Sequence, residues 1–180
     1  MALEQFATVG FAGTSLQQIA DAAGYSKSSV LYHFASKEAL LESVLSPAIE
    51  RLKEILGGLG QLREASESRQ AFVEGFIDFL FEYRLEVHTF INQGQSLVGI
   101  PVIDRANALL GALSESFDAE LSAAEEKIRF GVALGGAAYT LVAGMNFGGQ
   151  QTLTPEEMRA ALINTVSELL APRPPHPDAL

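Results

Sequence analysis

The chain of 180 residues has no cysteine, no tryptophan and only three histidines. Without cysteine, disulfide bonds and thiolate metal sites are excluded. The histidines, His33, His88 and His176, are scattered, and no carboxylate lies at metal-ligand spacing from any of them. No nucleophile elbow, phosphate-binding loop or glycine-rich dinucleotide motif is present. We therefore expect a protein that uses no metal or cofactor and is not an enzyme.

Positive charge is also scarce. Twelve lysines and arginines stand against 22 carboxylates, for a formal net charge of −10, and no arginine precedes Arg51. Residues 1–45 contain two lysines against four carboxylates. Because affinity for nucleic acid rests largely on neutralising phosphates, this balance by itself argues against tight binding to DNA. The pattern of a secretory signal is absent at the N-terminus, so we expect a cytoplasmic protein.

Between Phe130 and Pro155 there is no charged residue at all. The segment is long enough to cross a bilayer, and Gly131 and Gly135 have a spacing typical of close helix contacts. However, glycine, alanine, threonine and asparagine dominate the segment, and leucine is sparse. We therefore expect a buried helix in a soluble bundle and no membrane span.

The stretch from Ser15 to Leu45 contains the most specific local signals. Its pattern predicts three short helices separated by tight turns, the second and third of which form a helix-turn-helix. Thr14 followed by Gln17 predicts a capping box at the start of the first helix. Gly24 stands where that helix must stop and reverse, a position that commonly needs positive φ. Ser26 is expected to cap the second helix.

Within the second helix, Val30, Leu31 and Phe34 are expected to face the core. The polar residues left for an external partner are Lys27, Ser28, Ser29, Tyr32 and His33. A helix that enters the major groove reads base edges with its N-terminal residues, while flanking groups hold phosphates. Lys37, in the first turn of the third helix, would offer a phosphate site there.

The string IADAAGYSKSSVLYHFASKEALL resembles the signature of the TetR family of transcriptional regulators, and FATVGFAGTS resembles the end of that family's first helix. The resemblance covers about the first quarter of the chain. It implies a DNA-binding module whose contact residues are expected to be Thr14, Ser15, Lys27, Ser28, Ser29, Tyr32, His33 and Lys37.

After Leu45 the pattern stays helical, although Pro47 is expected to kink or interrupt the third helix. We predict an all-α protein with a three-helix DNA-binding module at residues 1–46. A helical bundle for ligand binding and dimerisation is predicted at residues 47–171, followed by a disordered, proline-rich tail at residues 172–180.

Two capping boxes, Ser122 with Glu125 and Thr154 with Glu157, are expected to open the last two long helices. The resemblance implies that these helices form the interface of a homodimer. Dimerisation also agrees with DNA reading, because two copies of a short reading helix related by a twofold axis match a palindromic site.

The resemblance further implies an effector pocket in the bundle. His88, Asn92 and Gln95 fall on one helical face and are either a solvated stripe or the polar rim of that pocket. The other candidates are either pocket lining or ordinary core, and they are Phe72, Phe76, Phe79, Phe117, Tyr139 and Asn146.

These observations predict a homodimeric regulator of transcription, a repressor that binds a palindromic operator in double-stranded DNA and is released by a small-molecule effector. The alternative is a dimeric module of the same fold that binds small molecules or proteins and has weak or lost DNA binding. Three features favour the alternative: the acidic N-terminal region, Leu31 where the family usually has an aromatic residue, and a first helix that begins only at Met1.

Overall fold

The computed structural model describes residues 1–57, 66–120, 124–146 and 153–171, with side chains except at 66, 116–120 and 144–146. Within these ranges the regular structure is helical, which confirms the predicted all-α class. The α-helices are α1 (Ala2–Val9), α2 (Leu16–Ala23), α3 (Lys27–His33), α4 (Lys37–Gly57), α5 (Ser66–Glu82), α6 (Arg84–Gln93), α7 (Pro101–Glu120), α8 (Ala124–Asn146) and α9 (Pro155–Leu170), with a 3₁₀ turn at Gly94–Leu97.

The capping box of α2 lies one residue later than predicted. The N–H of Gln18 donates to Ser15 Oγ at 3.2 Å, and the Ser15 N–H donates to Gln18 Oε1 at 2.7 Å. The prediction of Thr14 with Gln17 was therefore wrong. Thr14 is only 2% exposed, and its hydroxyl donates to the carbonyl of Gly10 at 2.7 Å. Because that hydroxyl completes the turn after α1, the next residue becomes the cap of α2.

The turn and cap of α3 match the sequence prediction, but one of its core residues does not. Gly24 has φ 74°, in the left-handed region, and Ser26 accepts the backbone N–H of Ser29 at 3.1 Å. Val30 and Phe34 are half-buried, whereas Leu31 is 42% exposed. In a two-turn surface helix, positions four apart share the inward face and the position after Val30 is rotated away from it. Leu31 as a core residue was thus a wrong prediction.

Helix α4 passes through Pro47 without a break and ends at Gly57. Of the kink or interruption expected at Pro47, the interruption was wrong: Pro47 is exposed, while Leu45 and Ala48 beside it are buried and hold the helix in place. The predicted boundary between residues 46 and 47 therefore falls inside a continuous helix, and α4 extends from the helix-turn-helix into the bundle.

Two hydrophobic cores lie along α4. The bundle core includes Phe72, Val73, Phe76, Ile77, Leu80, Leu134, Leu141 and Val166. The N-terminal core consists of Phe6, Phe11, Ile19, Leu40, Leu41, Leu45, Leu97, Val102 and Ile103. Its last three members come from the 3₁₀ turn and the start of α7. Each fully buried side chain of this kind contributes about 1.5–3 kcal/mol, so the N-terminal helices depend on a segment far along the chain.

A side-chain amide joins the same two parts of the chain. Gln93, at the end of α6, donates from Nε2 to the carbonyl of Phe6 at 2.6 Å and accepts the N–H of Phe11 at Oε1 at 2.7 Å. Gly10, between them, has φ 89°, so a residue with a side chain would be strained there. The backbone after α1 is thereby held against α6.

Polar contacts also hold α9 onto the bundle. Arg129 of α8 donates from Nε to the carbonyl of Leu169 and from Nη2 to that of Glu168, both at 3.0 Å. Arg159 of α9 donates from Nη2 to Asp78 Oδ2 of α5 at 2.9 Å. The Arg129 contacts satisfy carbonyls at the end of α9 that have no partner within that helix.

The remaining cap predictions concern the last two helices. Thr154 and Glu157 form the expected capping box at the start of α9. Ser122, the predicted cap of α8, lies outside the described residues, as does the proline-rich segment 172–180.

In the described part of the chain, no single helix has both the length and the apolar character needed to cross a membrane. The two segments Arg84–Leu97 and Pro101–Glu115 reach that composition only when taken together, and they are bent by 105° relative to each other.

We predict that Gln93→Leu lowers the free energy of unfolding by about 1–3 kcal/mol, because two hydrogen bonds of about 0.5–1.5 kcal/mol each are lost. Urea denaturation followed by circular dichroism measures the change. Gln95→Leu is the matched control, since Gln95 is exposed in the adjacent turn, and it should stay within about 0.5 kcal/mol of the wild type. Equal effects of the two substitutions would contradict the bridging role.

Candidate nucleic-acid interface and ligand cavity

The outer face of α3 presents the polar residues that the sequence singled out. Lys27, Ser28, Ser29, Tyr32 and His33 are all exposed, and Tyr32 is 85% exposed. The rings of Tyr32 and His33 meet edge to face with centroids 5.2 Å apart. A large aromatic ring this exposed has little to gain from the fold, so it is available to a partner.

The serines at the start of α3 form a small hydroxyl cluster. Ser26 Oγ lies 2.9 Å from Ser28 Oγ and 3.0 Å from Ser29 Oγ. These hydroxyls surround the N-terminus of the helix, where the first backbone N–H groups point outward and the helix dipole favours an anion. The arrangement offers several donors to a phosphate or a base edge.

Lys37 was predicted to offer a phosphate site, but its side chain points into the module instead. Its ammonium donates to the carbonyl of Phe11 at 2.6 Å and to that of Thr14 at 2.8 Å, and it lies 4.3 Å from the centre of the Phe11 ring. The side chain closes the turn between α1 and α2 from inside the module. Thr14 is likewise turned inward, so neither predicted contact side chain is presented to DNA in this conformation.

The start of α4 is already occupied by groups of the chain. Ser36 accepts the N–H of Ala39 at 3.1 Å. The pKa of Glu38 lies below its usual value because its carboxylate accepts backbone and Ser36 hydrogen bonds at the helix start. A phosphate approaching this end would meet the negative charge of Glu38, so the sequence-based idea of an anion site here is disfavoured.

Two further exposed residues lie beside α3. Ser15, also predicted from the sequence, is exposed at the start of α2. Tyr25 was not singled out, although it is 66% exposed and stands between the turn glycine and the cap of α3. An aromatic residue directly before a capping serine, with no apolar position to fill, was the signal that could have identified it.

A cavity of about 420 Å³ lies between the two cores. Its wall takes residues from α4, α5, α6, α7 and α8, among them Leu45, Leu52, Phe76, Phe79, Phe90, Ile103, Leu110, Leu134 and Tyr139. Leu45 and Ile103 also belong to the N-terminal core, and Phe76 and Leu134 to the bundle core. The size and the mostly apolar lining are those of a small-molecule site.

Only some of the predicted pocket residues line this cavity. Phe76, Phe79 and Tyr139 do, whereas Phe72, His88, Asn92 and Gln95 do not. The side chains of Phe117 and Asn146 lie outside the described residues.

The predicted polar rim fails because of how α6 is rotated. His88 is buried away from the cavity, and the Asn92 amide donates to the His88 carbonyl at 2.9 Å, which leaves Asn92 on the exposed side. The residue of α6 that brings charge to the cavity wall is Glu86, two positions before His88. The predicted shared face was wrong as well, since Gln95 lies in the 3₁₀ turn after α6 and His88 is buried while Asn92 is exposed.

In the described ranges, no group of three or more histidine, aspartate or glutamate side chains is placed to hold a metal ion. The two candidate sites are therefore the exposed polar face of α3 and the apolar cavity.

Residues 1–44 match a family model described as bacterial regulatory proteins, tetR family. The HTH-type transcriptional regulator RutR of Escherichia coli K12 is 51% identical over 49 residues, which are 27% of this chain and 23% of RutR. The same figures hold for RutR of Shigella flexneri. The chain thus matches about a quarter of the length of these curated relatives.

Two solved structures share the fold along most of the chain. The TetR family transcriptional regulator PfmR from Thermus thermophilus has a TM-score of 0.57 at 21% identity, covering 94% of each chain. The ketosteroid transcriptional regulator KstR2 of Mycobacterium tuberculosis has a TM-score of 0.61 at 16% identity, covering 94% of this chain and 89% of that one. At these identities the likeness concerns the fold alone.

We predict that Lys37→Met destabilises the protein by about 2 kcal/mol, because hydrogen bonds from a charged donor contribute about 1.5–3 kcal/mol and the carbonyls of Phe11 and Thr14 lose their partner. Thermal or urea unfolding measures it. Lys27→Met makes the same chemical change at an exposed position and should leave stability within about 0.5 kcal/mol of the wild type. The inward role of Lys37 would be refuted by equal stability of the two variants.

Proposed function

We propose that the chain is a ligand-responsive transcriptional regulator of the TetR family, because residues 1–44 match the model of that family's regulatory proteins and resemble RutR. In this proposal it works in the cytoplasm as a homodimer, represses by binding a palindromic operator, and leaves the DNA when a small molecule enters its cavity. The observation that carries the proposal is that two helices of the cavity wall, α4 and α6, each end in a side chain bonded to the backbone of the N-terminal module.

DNA would be read by the exposed face of α3. Lys27 and the serine hydroxyls at the start of this helix are suited to base edges and the nearest phosphates, and Tyr32 and His33 to phosphates one turn further on. Ser15, exposed at the start of α2, and Tyr25 extend the same surface.

In this proposal, signal transmission depends on how α4 and α6 are attached to the N-terminal module. α4 begins at Lys37, which is bonded to the turn before α2, and continues to the cavity wall at Leu45 and Leu52. α6 lines the cavity at Phe90 and ends at Gln93, which is bonded to the backbone around α1. A ligand that separates α4 from α6 would therefore reorient the reading helix.

The energetic requirement of this mechanism is modest. A ligand that prefers one spacing of the two reading helices, and an operator that prefers another, weaken each other's binding equally. Couplings of this kind are typically about 1–3 kcal/mol, which is a 5–150-fold change in operator affinity.

A surface stripe on α8 supports dimerisation. Ile128 and Val132 are 68% and 56% exposed, although both are large apolar residues. Gly131, Gly135 and Gly136 beside them have no atom of the described chain within 4 Å of where a Cβ would stand. An apolar stripe with small residues lets a second copy of the helix approach closely about a twofold axis.

The first test is fluorescence anisotropy with DNA from the promoter region beside the protein's own gene. We expect specific binding whose log affinity falls linearly with log salt concentration. Lys27→Ala should weaken binding and lower the magnitude of that slope by about 2, since each phosphate contact contributes about 0.9 and a dimer loses two.

Lys53→Ala is the control for charge, because Lys53 is exposed on the distal half of α4, where it is 3.9 Å from Glu50. It should leave the slope unchanged. Equal slopes for the wild type and Lys27→Ala would contradict the assignment of α3 as the reading helix.

The second test concerns the dimer. Val132→Glu places two like charges near the proposed twofold axis, and we expect a monomer by size-exclusion chromatography with light scattering, together with weaker operator binding. Val98→Glu makes the same substitution at another exposed apolar residue, outside the stripe, and should remain dimeric. A Val132→Glu protein that is still a dimer would refute this interface.

One observation favours the alternative, a ligand-binding module of the same fold with weak or lost DNA binding. Glu38 and Asp21 are exposed near α3, and the ammonium of Lys37 is used inside the module. If anisotropy detects no specific binding even at low salt, this alternative replaces the regulator.

A further inference from the structure

One acidic residue, Glu86, is among the residues that line the mostly apolar cavity. Glu86 lies in the first turn of α6, is half-buried and lines the cavity together with aliphatic and aromatic side chains. Tyr139, on the opposite helix α8, brings a phenol. The described lining contains no other side chain that can carry a charge.

The surroundings of Glu86 make its negative charge costly. The pKa of Glu86 is raised, first by burial and then by the neighbouring charge of Glu82, while a hydrogen bond from its own backbone opposes these effects. Among the described residues no lysine, arginine or histidine lies within ion-pair distance of its carboxylate. A charge without a counterion in a partly desolvated place destabilises the structure.

A bound cation would remove this cost. It would supply the missing counterion and at the same time fill an apolar cavity, which is the combination a specific ligand site uses. An anion would be repelled by Glu86 and Glu82 together. A neutral ligand with a hydrogen-bond acceptor would require the carboxyl to be protonated, so it would gain less near neutral pH.

We propose that the cavity binds an apolar molecule carrying a single protonated amine, with the ammonium group at the Glu86 carboxylate and the hydrocarbon body against residues such as Leu52, Phe79 and Leu134. This proposal rests on the proposed function, because it names the chemical class of the effector for the same cavity. The amine would thereby occupy the space between α4 and α6.

The test compares three ligands that share one hydrocarbon chain: decylammonium and decanoate, each below its critical micelle concentration, and decan-1-ol below its solubility limit. They displace N-phenyl-1-naphthylamine, a neutral apolar fluorophore, and the absence of tryptophan removes the usual fluorescence background. We expect decylammonium to bind at least tenfold more tightly than decan-1-ol, and decanoate to bind most weakly.

Glu86→Gln keeps the shape of the side chain and removes its charge. This substitution should weaken the binding of decylammonium at least tenfold, while decan-1-ol should bind as tightly as before or more tightly. Glu67→Gln changes the net charge by the same amount at an exposed residue outside the cavity wall. It should change the affinity for neither decylammonium nor decan-1-ol. Circular dichroism and retained fluorophore binding check that Glu86→Gln is folded. Ala138→Phe, which narrows the cavity without adding a tryptophan, should weaken the binding of the fluorophore and of all three ligands.

The proposal is overturned if decylammonium binds no better than decan-1-ol, or if Glu86→Gln weakens both alike. These outcomes are separate from those of the DNA experiment. Specific operator binding without a preference for the amine contradicts only the ligand class, whereas a clear preference for the amine in a protein that binds no operator contradicts only the regulator.

Discussion

The amide of Gln93 is the contact on which the arrangement of the two halves depends. It bonds at once to the carbonyl of Phe6 and the N–H of Phe11, more than 80 residues away in the sequence. One rigid planar group thereby fixes both the end of α1 and the turn that follows it. Because Gln93 ends the helix that also lines the cavity, two hydrogen bonds connect the cavity wall directly to the N-terminal module.

Two ionisable side chains illustrate how differently the fold treats charge. The ammonium of Lys37 is satisfied by two backbone carbonyls and an aromatic ring, so its charge is used for stability. Glu86 lines a cavity, and its pKa is raised by burial and then by the neighbouring charge of Glu82. A charge paired within the fold contributes to structure, whereas a carboxylate at an apolar cavity with no ion-pair partner among the described residues is suited to a ligand.

The local features were predictable because their physics is local. A turn glycine, a capping serine and the box of Thr154 and Glu157 act within four residues, and the structure has them where the sequence placed them. The errors had two different origins. Thr14 lost its capping role to a competing local contact, because its hydroxyl bonds to the carbonyl of Gly10 four residues earlier. The pocket residues on α6 were misassigned because packing against the distant helices α4 and α8 sets the rotation of α6.

Short windows of sequence were enough to establish the all-α class, the turn at Gly24, the caps of α3 and α9, and the motif that relates residues 1–44 to the TetR family. Helix periodicity, caps and turn geometry are encoded within a few residues. Packing between distant segments was needed to establish that Lys37 points inward, that Leu31 is exposed and that the cavity receives Glu86 rather than His88. Those outcomes depend on which faces of α1, α4, α6 and α8 meet. That choice is made by burying apolar area across the whole chain, so it cannot be read from any single segment.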